Sequence, residues 1–348
     1  MILVISSDYH FSWGQTFDRP TDSGIGSRLR EIIDSVLWAA DVGKKHKATM
    51  FLSLGDVFDR AEKLPTKEGL AVLEMFKQVT SRYDKTFVIP GNHDQLSENH
   101  NILDLFSETM GLKVLNKPSV VDIEGARLFF LPYIRDPEDF YKELERFYSM
   151  DCPGKKYLFA HFWDSSIMAV DPEAIDLSLI NLDFFDRVFT GHYHVPSSNM
   201  NSKVIYVGTL LNKRFNETGP KGAFILNTSK NTLKFHSNPL SPEFFTVLNE
   251  NSLLGSEDKI NTNAYYRISC SPENIVEMSK LLLNTKGYEF VNKTKDGVYQ
   301  KTINLDGVEK KNNLSLKDYV LDNCGIFLPS GIKLEDFKKK GEELLAGM

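Results

Sequence analysis

Short apolar runs that break off into polar clusters recur along the first two hundred residues. Stretches 2–5, 50–54, 86–89, 157–159 and 185–189 are mostly aliphatic or aromatic, and each is followed within a few residues by Asp, Asn or His. Apolar runs of this length, bounded by turn residues, read as buried strands. Between the first two, residues 28–47 place Leu29, Ile32, Ile33, Val36, Leu37 and Ala40 on one face of a 3.6-residue repeat, the pattern of a helix packed on a sheet. A second helix is expected after Pro65, whose fixed φ suits a first helical turn. Residues 1–200 therefore predict an α/β fold of alternating strands and helices.

Past Asn201 the pattern turns to short strands at 204–207, 223–226, 232–235 and 244–247. Asn249-Glu250-Asn251-Ser252 and Gly255-Ser256-Glu257-Asp258 are turn-like, so a domain boundary is expected near 250–262. Beyond it a strand at 264–269, a helix after Pro272 and further short strands through Ile303 are expected. Segments 315–324 and 333–345 then read as two amphipathic helices joined by 325–331. Their apolar positions, among them Leu316, Tyr319, Val320, Leu334, Phe337 and Leu344, are too many for two short exposed helices and predict an interaction surface.

At 348 residues the chain is long enough for two domains, and 41% apolar with 25% charged residues is ordinary for a globular protein. No apolar stretch approaches the roughly 20 residues of a membrane span. The N-terminus runs straight into a strand without a basic leader, and Cys152, Cys270 and Cys324 are odd in number and far apart. Both features predict a cytoplasmic protein in a reducing compartment, without a membrane partner. The net charge of −6 lacks the basic footprint of a nucleic-acid binder, although residues 280–312 carry seven Lys against four acids, a patch able to track phosphates.

The polar clusters carry the chemistry. In order they are Asp8-Tyr9-His10, Gly55-Asp56-Val57-Phe58-Asp59, Gly91-Asn92-His93-Asp94, His161, and Gly191-His192-Tyr193-His194. Ligands of open α/β sheets bind at the carboxyl ends of strands, so five such ends predict one site. Five of the eight histidines fall in these clusters; His46, His100 and His236 have no such setting and are read as structural or surface residues. Imidazole, carboxylate and amide oxygen suit manganese, iron or zinc, and no cysteine lies near. Two divalent ions roughly 3.5–4 Å apart can clamp the attacking and leaving oxygens of a displacement at phosphorus. Asp56 is the natural bridge between them. His93 adjoins the ligand Asn92 and can protonate a leaving alkoxide, and Asp59 is the candidate to fix its tautomer.

On these motifs the chain resembles the calcineurin-like metallophosphoesterase superfamily. Within it the chain looks most like the SbcD-type nuclease subunits of double-strand-break repair, especially their bacteriophage branch. Gly-Asp-Val-Phe-Asp at 55–59, Tyr206-Val207-Gly208-Thr209 and Gly219-Pro220-Lys221-Gly222 carry the closer likeness. It departs at Phe11-Ser12-Trp13-Gly14 and Ala160, neither of which is a ligand.

The resemblance implies a four-layer α/β (α+β) sandwich over residues 1–250 with a small α+β capping, DNA-binding domain at 260–310. It also implies a helical hairpin at 313–348 that grips the coiled coil of an SbcC-type ABC ATPase. One metal would be held by Asp8, His10, Asp56 and His194, the other by Asp56, Asn92, His161 and His192, with His93 and Asp59 as the catalytic pair. The cofactor would be two Mn2+, with Mg2+ or another divalent ion in its place as a variant. The partners would be DNA, the ATPase and a second copy of the chain. The implied activity is a manganese-dependent DNA nuclease working in the host cytoplasm if the source is a phage. The alternatives are a phosphatase or small-nucleotide phosphodiesterase on the same site, and a non-catalytic scaffold with the same fold.

Overall fold

The structure, a computed structural model, describes residues 1–303 except 61, 63, 98–99, 108–110, 151–152, 168–170, 256, 272–273 and 294–298. The hairpin expected at 313–348 lies outside the described residues.

The chain opens with β1 (Ile2–Ser6), α1 (Ser27–Lys45), β2 (Met50–Ser53), α2 (Thr66–Thr80) and β3 (Lys85–Val88). A small hairpin of β4 (Gln95–Ser97) and β5 (His100–Asn101) leads into α3 (Asp104–Ser107) and β6 (Leu112–Val114). Next come β7 (Ser119–Ile123), β8 (Ala126–Leu131), α4 (Pro137–Tyr148), β9 (Lys155–His161), β10 (Arg187–Gly191) and β11 (Val204–Tyr206). Then follow β12 (Gly222–Asn227), β13 (Thr232–Ser237), β14 (Glu243–Val247), β15 (Ala264–Ser269), α5 (Ile275–Leu282), β16 (Gly287–Lys293) and β17 (Tyr299–Ile303). Pro65 sits one residue ahead of α2 as its N-cap rather than inside the first turn.

Six strands form one sheet in the order β13-β12-β1-β2-β3-β6, and five form another in the order β11-β10-β9-β8-β7. β1, β2, β3 and β6 run parallel, with β12 and β13 added antiparallel at one edge. In the second sheet β8, β9, β10 and β11 run parallel and β7 antiparallel.

Alternation along each strand explains the layering, because successive side chains point to opposite faces. Leu3 and Ile5 of β1 join Met50, Leu52, Phe130, Phe159, Phe189 and Phe224 in the core between the sheets. Val4, Phe51 and Val88 point the other way, onto Leu29, Ile32, Val36, Phe76 and Val79 of α1 and α2. On the far side Phe129, Leu158 and Val188 meet Phe140, Leu144 and Phe147 of α4. The result is helix, sheet, sheet, helix. Strands buried on both faces read as continuous apolar runs, which is why β1 and β2 were plain in the sequence. Each fully buried Leu, Ile or Phe contributes about 1.5–3 kcal/mol relative to exposure.

The chain divides into two compact units, Met1–Phe244 and one that starts at Phe245. In the second, the sheet order is β14-β15-β16-β17. β15 and β16 are parallel and joined through α5, and Tyr266, Ile268, Met278, Leu282 and Phe290 form the core. The Cys270 thiol is buried. Among the described residues no helix is long and apolar enough to cross a membrane.

Candidate metal centre

Five parallel strands of the first unit, β1, β2, β3, β9 and β10, end next to one another, and every sequence-derived ligand lies at or just past one of those ends. The backbone there is bent hard. Asp8, His10, Asp56 and His192 adopt left-handed φ values of 55°, 44°, 49° and 81°, four of the seven non-glycine residues that do so among the described residues. Such conformations cost of order 1–3 kcal/mol each and persist where surrounding contacts enforce them.

The enforcing contacts are visible. Asp8 N, His10 N and Phe11 N donate to Gly55 O, Asp56 O and Val57 O at 3.0, 2.8 and 2.7 Å, zipping the first loop to the second. Asp94, fully buried, accepts from Phe58 N at 2.9 Å, Gly91 N at 3.0 Å and Val57 N at 3.2 Å, so one carboxylate ties the second loop to the third. Gly91 leaves room for the ligands: a Cβ there would stand 2.2 Å from Asp56 Oδ1.

The donor atoms converge. His10 Nε2 lies 3.0 Å from His194 Nε2. His192 Nδ1 lies 2.8 Å from Asn92 Oδ1, and His161 Nε2 lies 3.2 Å from both Asn92 Oδ1 and His192 Nδ1. Asp56 Oδ2 is 3.5 Å from His10 Nε2 and also 3.5 Å from His161 Nε2, so it faces both groups. Asp8 with His10 and His194, and Asp56 with His161 and His192, each form a cluster with ligand atoms within 4.8 Å of one another. Two ligands held at about 2.1 Å from one ion, at right angles to each other, are themselves about 3.0 Å apart. The observed spacings fit two divalent ions that share Asp56.

Tautomers fit as well. His161 Nδ1 donates to Leu54 O at 2.6 Å, so its Nε2 faces the cluster. His194 Nδ1 faces Glu217 Oε1 at 3.6 Å, so its Nε2 also points inward. A ligand imidazole is normally held this way through its other nitrogen. Lys221 Nζ donates to His194 O at 2.8 Å and lies 3.7 Å from Glu217 Oε2, closing a small network behind that ligand.

Burial sharpens the electrostatics. Asp8 and His161 are fully buried and Asp56 nearly so. Burial pushes Asp8 above the usual carboxylate range. Burial also works against the Asp56 carboxylate, but the adjacent His161 and His10 overcome it and hold the group well below its ordinary value. Burial disfavours a charged His161, yet Asp56 and Asp8 outweigh it and raise the imidazole to about 9. His192 is pushed down to about 3 by burial and by His161 beside it. Burial, together with Lys213, also lowers His10. Two buried carboxylates facing imidazole nitrogens form a site matched to positive charge.

His93 and Asp59 meet in a way the spacing did not suggest. His93 Nδ1 donates to the backbone carbonyl of Asp59 at 2.9 Å, not to its carboxylate. The Asp59 side chain instead stands 3.6 Å from His10 Nδ1, because Asp59 N bonds to Phe11 O and draws the residue towards the first motif. His93 N donates to Asp56 Oδ1 at 3.0 Å, and its ring lies edge-on to His10 with centroids 4.8 Å apart. The exposed His93 ring therefore keeps Nδ1–H fixed and Nε2 free at the edge of the ligand array. Of the other histidines, His46 and His236 pack on each other at 4.6 Å and His100 contacts Ser97 Oγ, all away from the centre.

Sequence reasoning gave no role to Asp94, Glu217, Lys213 or Lys221. Asp94 was visible as the last residue of its motif. Glu217, Lys221 and Lys213, whose ammonium reaches Tyr9 O, come from a loop about 200 residues after the first ligand, and no local spacing marks them.

Residues 1–196 match the calcineurin-like phosphoesterase family. The chain belongs to that family. Calcineurin-like phosphoesterases bind two divalent metals, and the clusters around Asp56 are candidate ligands for them. Exonuclease subunit 1 of Enterobacteria phage T4 is 22% identical over 219 residues, which make up 59% of this chain and 61% of that protein. The chain thus matches less than two thirds of its relative's length. Among solved structures, a dimetal phosphatase from Danio rerio aligns with a TM-score of 0.38 at 12% identity, over 65% of this chain and 91% of the other. Yfce, a phosphoesterase from E. coli, aligns at 0.36 and 14% identity, over 68% and 99%. Pseudomonas putida nuclease MPE aligns at 0.29 and 11%, over 67% and 87%.

Proposed function

We propose that this phosphoesterase is a manganese-dependent DNA phosphodiesterase, the nuclease subunit of an ATPase–nuclease pair of the SbcC–SbcD type. The observation that carries the reading is Asp56, whose Oδ2 stands 3.5 Å from a histidine of each ligand group. The phage relative, named as an exonuclease subunit, supports DNA as substrate and the existence of a partner.

In this reading Asp8, His10, Asp56 and His194 would hold one ion, and Asp56, Asn92, His161 and His192 would hold the other. Ions bound there would supply positive charge for the phosphoryl oxygens and acidity for an attacking water. The chain does the rest. The Asp94 clamp fixes the loops that carry Asp56 and Asn92. His93, tethered through Nδ1–H to Asp59 O, presents Nε2 to the leaving sugar oxygen and, when Nε2 also carries a proton, gives that proton to it. Asp59 acts on geometry, through its carbonyl on His93 and its carboxylate on His10. Residues 260–310 serve as a DNA-contacting cap and 313–348 as the hairpin that binds the coiled coil of the ATPase, with the nuclease working as a homodimer in the cytoplasm.

The test is incubation of the full chain and manganese with end-labelled duplex DNA, single-stranded DNA and a chromogenic phosphomonoester. Cleavage of DNA that exceeds phosphomonoester turnover supports the reading. Turnover of the monoester alone makes the protein a phosphatase.

A further inference from the structure

Beside the ligands lies a group of aromatic rings that the hydrolysis reaction does not use. Trp163, two residues past His161, meets the His192 ring edge-on at 4.3 Å, and Tyr193, between the two terminal histidines, lies 6.5 Å from Trp163. Tyr133, past the end of β8, is stacked parallel to His192 at 6.5 Å with an interplanar angle of 14°. Tyr206 backs Tyr193 at 5.5 Å.

The polar ends of Trp163, Tyr206 and Tyr133 are tied down. Trp163 Nε1 donates to Asp171 Oδ2 at 2.6 Å, and Tyr206 OH donates to Asp164 Oδ2 at 2.7 Å. Tyr133 OH donates to Glu173, and Asp171 Oδ1 accepts from Glu173 N at 2.9 Å. Ile175 N donates to Trp163 O at 2.7 Å and Ser165 N to Ile175 O at 3.0 Å, which fixes the backbone at Trp163. Trp163 and Tyr193 remain only half-buried.

We propose that Trp163 and Tyr193 form a stacking platform for an unpaired nucleobase next to the scissile phosphate. The inference rests on the phosphodiesterase reading and names its substrate class, single-stranded or frayed ends. Three physical points carry it. Trp163, held by a hydrogen bond at its rim, and Tyr193, backed by the Tyr206 ring, lose little freedom on binding, so stacking on them is cheap in entropy. The platform touches His192, and a base flanking a phosphate held at the ligands lies within a few ångströms of that phosphate. A base inside a duplex has both faces covered by its neighbours, so only an unpaired or extruded base can reach an aromatic side chain.

The test uses the full chain with a phosphorothioate single-stranded octanucleotide, the same oligomer with abasic sugars in place of bases, and a blunt duplex. Affinity is read by fluorescence anisotropy and by quenching of tryptophan emission, in calcium. Stacking on an aromatic side chain contributes enough per base to change affinity about tenfold or more. The wild type should bind the base-bearing single strand at least tenfold tighter than the abasic one, with quenching. In Trp163→Leu that ratio should collapse towards one, and in Trp163→Phe it should be largely kept. Where Trp163→Leu fails to fold, Tyr193→Leu reads the same ratio. Equal affinity of the wild type for base-bearing and abasic strands overturns the platform, as does a ratio that survives in the leucine variants. A platform that passes, in a protein that cleaves no DNA with manganese, sinks the nuclease reading alone.

Discussion

Replacing Asp94 tests whether one buried carboxylate holds the centre in shape. It accepts three backbone N–H groups from two loops, with Val57 and Gly91 on Oδ2 and Phe58 on Oδ1. Asp94→Ala strands all three donors in a site where the side chain is fully buried. Each unsatisfied buried donor costs about 1–3 kcal/mol, and water entering the vacated space keeps the total near the low end, about 3–5 kcal/mol. Asp94→Asn is the finer probe. Its amide oxygen can keep the two donors on one side, but its NH2 then faces the Phe58 N–H, so it should lose about 1.5–3 kcal/mol. For a unit of this size each kcal/mol is about 2–4 °C in Tm, so Asp94→Ala should melt about 10 °C early and Asp94→Asn about half as far below wild type. Scanning calorimetry of the metal-free proteins reads the effect, and a manganese titration of each reads the accompanying loss of affinity. Two variants within 1 °C of wild type, or an asparagine variant no better than alanine, would refute the clamp.

Three further outcomes follow from the same geometry. His93→Gln should lower kcat for phosphodiester cleavage by about 10²–10⁴ while manganese binding stays intact; loss of metal in that variant would move His93 into the ligand set. Because the metal-free site raises His161 to about 9, metal binding at pH 7 must displace a proton from its Nε2, and affinity should climb as pH rises towards 9. Calorimetry in buffers of different ionisation enthalpy checks this, and a proton-neutral binding event would contradict it. Gly91→Ala should cut activity about 100-fold, since its Cβ would stand 2.2 Å from Asp56 Oδ1 and must displace it; an active Gly91→Ala enzyme would show that Asp56 has room to spare.

Much of this was legible in the chain because strands buried on both faces carry continuous apolar runs. β1, β2 and β15 fall within a residue of the segments read from the sequence, and β10 starts two residues later because Phe185 and Asp186 belong to the approach. The strand pair β7 and β8 and helix α4 were missed: β7 is only partly buried along its length, α4 is strongly charged outside Phe140, Leu144 and Phe147, and the apolar run of β8 ends in none of the polar motifs. The motifs singled out residues that the structure brings together because each candidate ligand sits at or just past the end of its strand. They could not give the partner atoms. Asp59 meets His93 through its carbonyl, Asp94 works through backbone amides, and Glu217 reaches His194 from a loop whose sequence carries no metal signature. Such contacts depend on how loops fold back in space, and spacing along the chain does not encode them. The aromatic group around His192 was hidden for the same reason, since Tyr133, Trp163, Tyr193 and Tyr206 come from four separate segments.

If Asp56 lies between two divalent ions, anomalous scattering from a manganese-soaked crystal should show two peaks per chain, about 3.5–4 Å apart, one beside Asp8, His10 and His194 and one beside Asn92, His161 and His192, with Asp56 touching both. A single peak, or two peaks of which Asp56 contacts one only, would contradict it.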